Sequence, residues 1–195
     1  GGGKAMTSKN GQTATAKVAG STNVIIGEQG ATGEALKIEF GTVAGGGLAR
    51  AQAASSTATA NVNNANVTVH SGILSGVAGG GIAENYGTGT ADATVTGAAN
   101  LTINGGTING VQYKGVDTDK VKVAVLGGGI AKGTGADATT TAANTIVNGG
   151  TIKGHVVAGG LADGGTATVG TANLTITGGE ITGSVYAGGA ALNGG

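Results

Sequence analysis

The chain has 195 residues, 44 of them glycine, with no proline, no cysteine, 2% aromatic residues, 10% charged residues and a formal net charge of zero. The missing cysteine excludes disulfides and thiolate metal sites, the neutral balance excludes an electrostatic footprint for nucleic acid, and no apolar run reaches the roughly 18 residues of a spanning helix. With so few rings there is no compact core of large side chains; Val, Ile, Leu and Ala spread evenly along the chain predict a core that is long and thin.

In chain order, Gly1-Gly2-Gly3 resembles a mid-repeat glycine cluster, and the chain closes in open sequence at Gly194-Gly195. No secretory leader is recognisable, so the sequence reads as a piece of something longer. The first small-residue segment is Ala14-Thr15-Ala16-Lys17-Val18, and it is followed by Asn23-Val24-Ile25-Ile26. The second unit recurs in register as Asn66-Val67-Thr68-Val69, Asn100-Leu101-Thr102-Ile103, Asn144-Thr145-Ile146-Val147 and Asn173-Leu174-Thr175-Ile176. Ten residues beyond each Asn stands a glycine: Gly33, Gly76, Gly110, Gly154 and Gly183.

A second marker closes each unit: Val43-Ala44-Gly45-Gly46, Val77-Ala78-Gly79-Gly80, Val125-Leu126-Gly127-Gly128, Val157-Ala158-Gly159-Gly160 and Tyr186-Ala187-Gly188-Gly189. An apolar residue and Ala usually follow, as in Leu48-Ala49 and Ile82-Ala83, and then the next small-residue segment begins. The base period is about 30 residues with insertions, so the repeats fall near 1–44, 45–78, 79–126, 127–158 and 159–187, with the start of another at 188–195. Each repeat holds three short segments of period-two alternation bounded by Gly or Asn, which is a strand signature.

The alternation predicts inward columns Val24, Val67, Leu101, Thr145, Leu174 and Ile26, Val69, Ile103, Val147, Ile176, with a third made of Ala31, Leu74, Ile108, Ile152 and Ile181. Thr145 interrupts the first, which predicts a local distortion there. Such columns are buried only if each repeat sits on the last, and this predicts an all-β chain of parallel strands, a β-solenoid of roughly five to six coils with two insertions. The Asn column Asn23, Asn66, Asn100, Asn144 and Asn173 predicts a ladder of stacked amides, each donating to one neighbour and accepting from the other. Asn66, Asn100 and Asn173 also match the glycosylation pattern, but Asn23 and Asn144 hold the same place without the acceptor Thr, so structure accounts for the column.

Two insertions depart from the base unit. Residues 34–40 and 111–124 are rich in charge and share alternating segments, Leu36-Lys37-Ile38-Glu39-Phe40 and Val121-Lys122-Val123-Ala124-Val125. Tyr113, Lys114, Asp117, Asp119, Lys120 and Lys122 make the second the candidate surface-binding loop. The competing reading is a longer strand that widens the coil. His70 and His155 read as exposed corner residues, and Asp92, Asp137 and Asp163 as separate acids in turns. Gly133-Thr134-Gly135-Ala136-Asp137 matches only a fragment of a calcium nonapeptide. No catalytic residue, metal ligand or cofactor is expected, and the chain is read as non-enzymatic.

The motif Gly-Gly-x-Ile-x-Gly-x-Val-Tyr-Ala-Gly-Gly at 178–189, with looser copies at 72–80, 105–110 and 149–160, resembles the repeats of bacterial surface β-helix proteins, nearest to the passenger regions of autotransporter adhesins. The resemblance implies a right-handed parallel β-helix, a place on the bacterial cell surface or outside the cell, and adhesion or aggregation as the role. The expected partners are the chain itself, stacked end to end or with neighbouring repeats, and surface glycans or proteins. Two alternatives remain open: an ice-binding solenoid using Thr15, Thr59, Thr94, Thr139 and Thr168 with a second row at Thr68, Thr102 and Thr175, and a glycan-binding or glycan-cleaving β-helix.

Overall fold

The computed structural model describes residues 1–30, 36–114 and 120–194. Among them there is no helix, and the strands form three sheets. The sheets share one logic. Lys4–Thr7, Leu48–Ala51, Ile82–Asn85, Ile130–Lys132, Leu161–Asp163 and Ala190–Leu192 make a six-stranded sheet in chain order. The long strands Thr13–Ile26, Thr57–Val69, Thr90–Ile103, Ala136–Val147 and Thr166–Ile176 make a second. The segments that lead back, among them Ile73–Ala78, Thr107–Ile108, Thr151–Ile152 and Glu180–Ile181, belong to a nine-stranded third. Corresponding segments of successive repeats pair in parallel, an arrangement compatible with a β-solenoid.

The small-residue segment and the Asn unit, separate in the sequence reading, run into one strand. A register shift, between Val62 and Ala65 for example, bends it without breaking it. On one side of that bend the core is made of methyls: Ala49, Ala51, Ala58, Ala60, Ala83, Ala91, Ala93, Ala131, Ala136 and Ala138 are buried against one another. Alanine is a weak strand former by propensity, but here it lets two sheets approach closely. On the other side Val67, Val69, Leu74, Leu101, Ile103, Ile108 and Ile152 fill a thicker core. Thr, Val and Ile suit the pleated surface, and Thr faces outward at alternate positions.

The glycine markers form the corner between the third sheet and the next short strand. Gly46 N–H donates to Gly80 O, Gly80 N–H to Gly128 O, and Gly128 N–H to Gly159 O, at 2.9–3.0 Å. A Cβ on Gly46 would lie 2.7 Å from Gly81 N, and one on Gly80 2.6 Å from Gly129 N. Real Cβ atoms do not approach backbone so closely, so the corner requires glycine for space.

Three details differ from the sequence reading. Thr145 causes no distortion: it lies in register between Leu101 and Leu174, buried, and Ile146 pairs outward with Thr102 and Thr175. The place opposite Leu74 in the first repeat is held by Ile38, while Ala31 lies outside the described residues. Gly33 is also outside them, and Thr42 stands opposite Gly76. The extra residues of the first insertion shifted the frame, because constant sequence spacing after Asn23 is not constant register.

Candidate binding surface and the rows that support it

The Asn column stands on the outer face of the long-strand sheet. Asn66 Nδ2 donates to Asn23 Oδ1, Asn100 to Asn66, Asn144 to Asn100 and Asn173 to Asn144, each at 2.9 Å. The middle three side chains are half-buried and the end two exposed. The row is therefore a surface ladder and not a buried one, since Ala65 and Val67 beside Asn66 take the inward places. Every amide donates in the same direction, so Asn23 keeps its donor end and Asn173 its acceptor end at opposite faces of the stack.

A second row follows four positions on. Asn104 Nδ2 lies 3.2 Å from His70 Nδ1, Asn148 Nδ2 donates to Asn104 Oδ1 at 2.9 Å, and Thr177 Oγ1 donates to Asn148 Oδ1 at 2.8 Å. His70 is thus a member of a row, not an isolated corner residue. The signal was a polar residue directly after Val69, Ile103, Val147 and Ile176, masked because its identity changes. His155 Nδ1 accepts from Ser184 N–H at 2.9 Å, and its ring lies 5.6 Å from that of Tyr186.

Asn85 explains the Gly-Thr-Gly turns. Its buried amide donates to Gly89 O at 2.7 Å and to Thr134 O at 2.6 Å, and its Oδ1 accepts from Gly87 N–H at 3.1 Å. These turns are tied between repeats by a protein amide. Among the described residues no group of three or more His, Cys, Asp or Glu converges as metal ligands would.

The second insertion is an antiparallel β-hairpin, Val111–Lys114 against Lys120–Leu126, in an otherwise parallel set of described strands. Tyr113 is half-buried and packs against the buried cluster of Ala78, Val123, Leu126, Ile130, Val157 and Leu161. It faces the six-stranded sheet. Lys122 is half-exposed. The side chains of Lys114 and Lys120, and Asp117 and Asp119 entirely, lie outside the described residues. Val123 and Ala124, which the sequence places in the loop, are buried. Val123 pairs with His155 and Val125 with Val156, so Ala124 is the extra residue of a bulge.

Between the hairpin and the sheet lies a cleft of about 290 Å³. Leu48, Ile82 and Ile130, adjacent in register, form its apolar floor. Val111 and Tyr113 come from the second insertion, and Gly41 and Thr42 from the strand Lys37–Ala44. Arg50, Glu84 and Lys132 line the polar side. Arg50 Nε donates to Glu84 Oε2 at 2.5 Å, a second guanidinium nitrogen pairs with the same oxygen, and the guanidinium lies 5.9 Å from the Tyr86 ring centre. Burial, then the Glu84 charge, pushes the Tyr86 hydroxyl above its ordinary value. Burial pushes Tyr113 up to about 12, with the Thr42 hydrogen bond acting the other way. The cleft can hold a small amphipathic group.

The outward threonines do not form the row read from the sequence. Thr15 and Thr59 pair on to Asp92, Asp137 and Thr166, whereas Thr94, Thr139 and Thr168 continue the row of Lys17 and Asn61. The small-residue segments are offset by two residues between the second and third repeats. The same register corrects the acids: Asp92 and Asp137 are strand residues directly opposite one another. Burial first, and then the Asp137 charge, raises the Asp92 carboxyl. The second Thr row holds Thr68, Thr102 and Thr175, with Ile25 at one end and Ile146 between Thr102 and Thr175.

No family description, curated protein or solved structure matches the chain.

Proposed function

We propose that this chain is a structural and adhesive segment of a bacterial surface or extracellular fibre. It is read as a right-handed β-solenoid of about five to six coils and about 30 residues per coil, non-enzymatic, carrying its contact surface at the cleft beside the second insertion. The observation that carries the reading is the register of parallel strands through three sheets, tied by side-chain rows, with the hairpin of the second insertion walling a cleft over the six-stranded sheet. A stack of this kind has length and stiffness, while the insertions can vary without altering the rows.

The test is display of the chain on a non-adherent bacterial cell, with and without residues 111–122, followed by counting attachment to host cells and to immobilised glycans. Attachment that depends on the hairpin supports an adhesive segment. Equal attachment by both forms moves the contact surface elsewhere, and no attachment by either leaves a spacer role without adhesion. The ice-binding reading loses its main support, because the first Thr row is divided by Asp92, Asp137, Lys17 and Asn61.

A further inference from the structure

The outer face of the six-stranded sheet carries an apolar row that is covered for only part of its length. Leu48, Ile82, Ile130 and Leu161 stand opposite one another on successive strands. Ala49 and Ala83, the next residues along, are buried inward, so Leu48 and Ile82 belong to the outer side. Ile130 and Leu161 are nevertheless 4% and 0% exposed, because Tyr113 and Val121 of the hairpin pack against the cluster that holds them. Leu48 and Ile82 stay half-buried and form the floor of the cleft.

The hairpin stops where the cover stops. Val111–Lys114 pairs with Lys120–Leu126 on one side and, among the described residues, with no strand on the other. This edge lies within the stack, since Leu48–Ala51 and Ile82–Asn85 below the cleft are each paired on both sides. Val111 and Tyr113 of the same strand line the cleft, so the free edge borders it. An unpaired edge presents N–H and C=O groups at the spacing of one more strand, about 4.8 Å away. An apolar floor beside that edge takes every second side chain of such a strand. A sugar or a lipid chain has no main chain to match the edge; an extended polypeptide has.

We propose that the cleft takes an extended peptide segment of a partner protein, which adds as a strand to the free edge of Val111–Lys114 and seats alternate apolar side chains on Leu48 and Ile82. The chain itself shows the pattern that fits. Lys120–Leu126 lies antiparallel on the other edge of the same strand, with Val121 packed on the apolar cluster and Lys122 half-exposed. The partner's segment therefore alternates β-branched apolar residues with polar ones. Arg50 and Glu84, two residues along the same strands and paired with each other, give the cleft a polar rim. The inference rests on the reading that this cleft is the contact surface.

The probe is a dye-labelled, amidated peptide Lys-Val-Lys-Val-Ala-Val-Leu, a copy of Lys120–Leu126, titrated with the whole chain and followed by fluorescence anisotropy. Two more peptides carry N-methyl groups, one on its second and fourth residues, the other on its third and fifth. Backbone donors of an extended strand point alternately to its two edges, so each peptide has one edge blocked. The expected result is saturable binding below about 1 mM by the plain peptide and by only one of the methylated pair. Leu48→Ser, on the floor of the cleft, and the chain with Gly110 joined to Val123 should each bind about tenfold more weakly or not at all. Equal behaviour of the two methylated peptides overturns strand addition. No saturable binding of the plain peptide at about 1 mM overturns the inference outright. Undiminished binding by Leu48→Ser puts the peptide in the place of Lys120–Leu126 and also overturns it. Attachment of displaying cells judges the adhesive reading separately. Hairpin-dependent attachment without peptide binding keeps that reading and sinks this one, and peptide binding with hairpin-independent attachment does the reverse.

Discussion

Replacing Asn100 by Ala removes two side-chain hydrogen bonds, the one it donates to Asn66 and the one it accepts from Asn144, both 2.9 Å. The site is half-exposed, so the orphaned groups regain some water. Each bond then contributes toward the lower part of the usual 0.5–1.5 kcal/mol, for a total of about 1–2 kcal/mol. For a chain of this size that is a fall in melting temperature of roughly 2–8 °C. Asn173→Ala loses one bond and should cost about half as much. Asn61→Ala, in the row between Lys17 and Thr94 and without a side-chain hydrogen bond among the described residues, should cost least. Thermal melts followed by circular dichroism rank the three. Equal midpoints for Asn100→Ala and Asn61→Ala would refute the ladder as a source of stability. Equal costs for Asn100→Ala and Asn173→Ala would refute the count of bonds.

Thr145→Val should stabilise by about 1 kcal/mol, because the Thr145 hydroxyl is buried without a partner in a column flanked by Leu101 and Leu174, and a lower melting point would contradict this. Asp92→Asn should raise the melting point at neutral pH and leave it unchanged well below the carboxylate range. The raised folded-state carboxyl contributes stability while protonated, and that contribution is lost as pH rises through its titration; an equal effect at both pH values would contradict the cause. Joining Gly110 to Val123, which keeps the buried Val123 and Ala124, should retain the β signal at a cost of about 1–2 kcal/mol for the half-buried Tyr113, and loss of the β signal would make the hairpin part of the fold. Gly80→Ala should unfold the chain or greatly lower its melting point, because the added Cβ meets backbone of the next repeat, and a native-like melt would refute the corner geometry.

The sequence by itself determined the repeating unit, the strand character of its segments and, outside the first insertion, the identity of the inner columns. Period-two alternation and recurring Asn and Gly report on contacts that every repeat must make in the same way. The pairing of Asn23, Asn66, Asn100, Asn144 and Asn173 was legible because one residue type holds one place. Register across the insertions was decided only in three dimensions. Thr42 replaced Gly33 opposite Gly76, and the nominal Thr row divided at Asp92, because spacing along a chain does not fix pairing once a bulge or insertion intervenes. The cleft required the tertiary structure for the same reason. Tyr113 reads as a loop aromatic until the hairpin folds over Ile82 and Ile130, where burying its ring covers apolar surface that the sheet would otherwise expose.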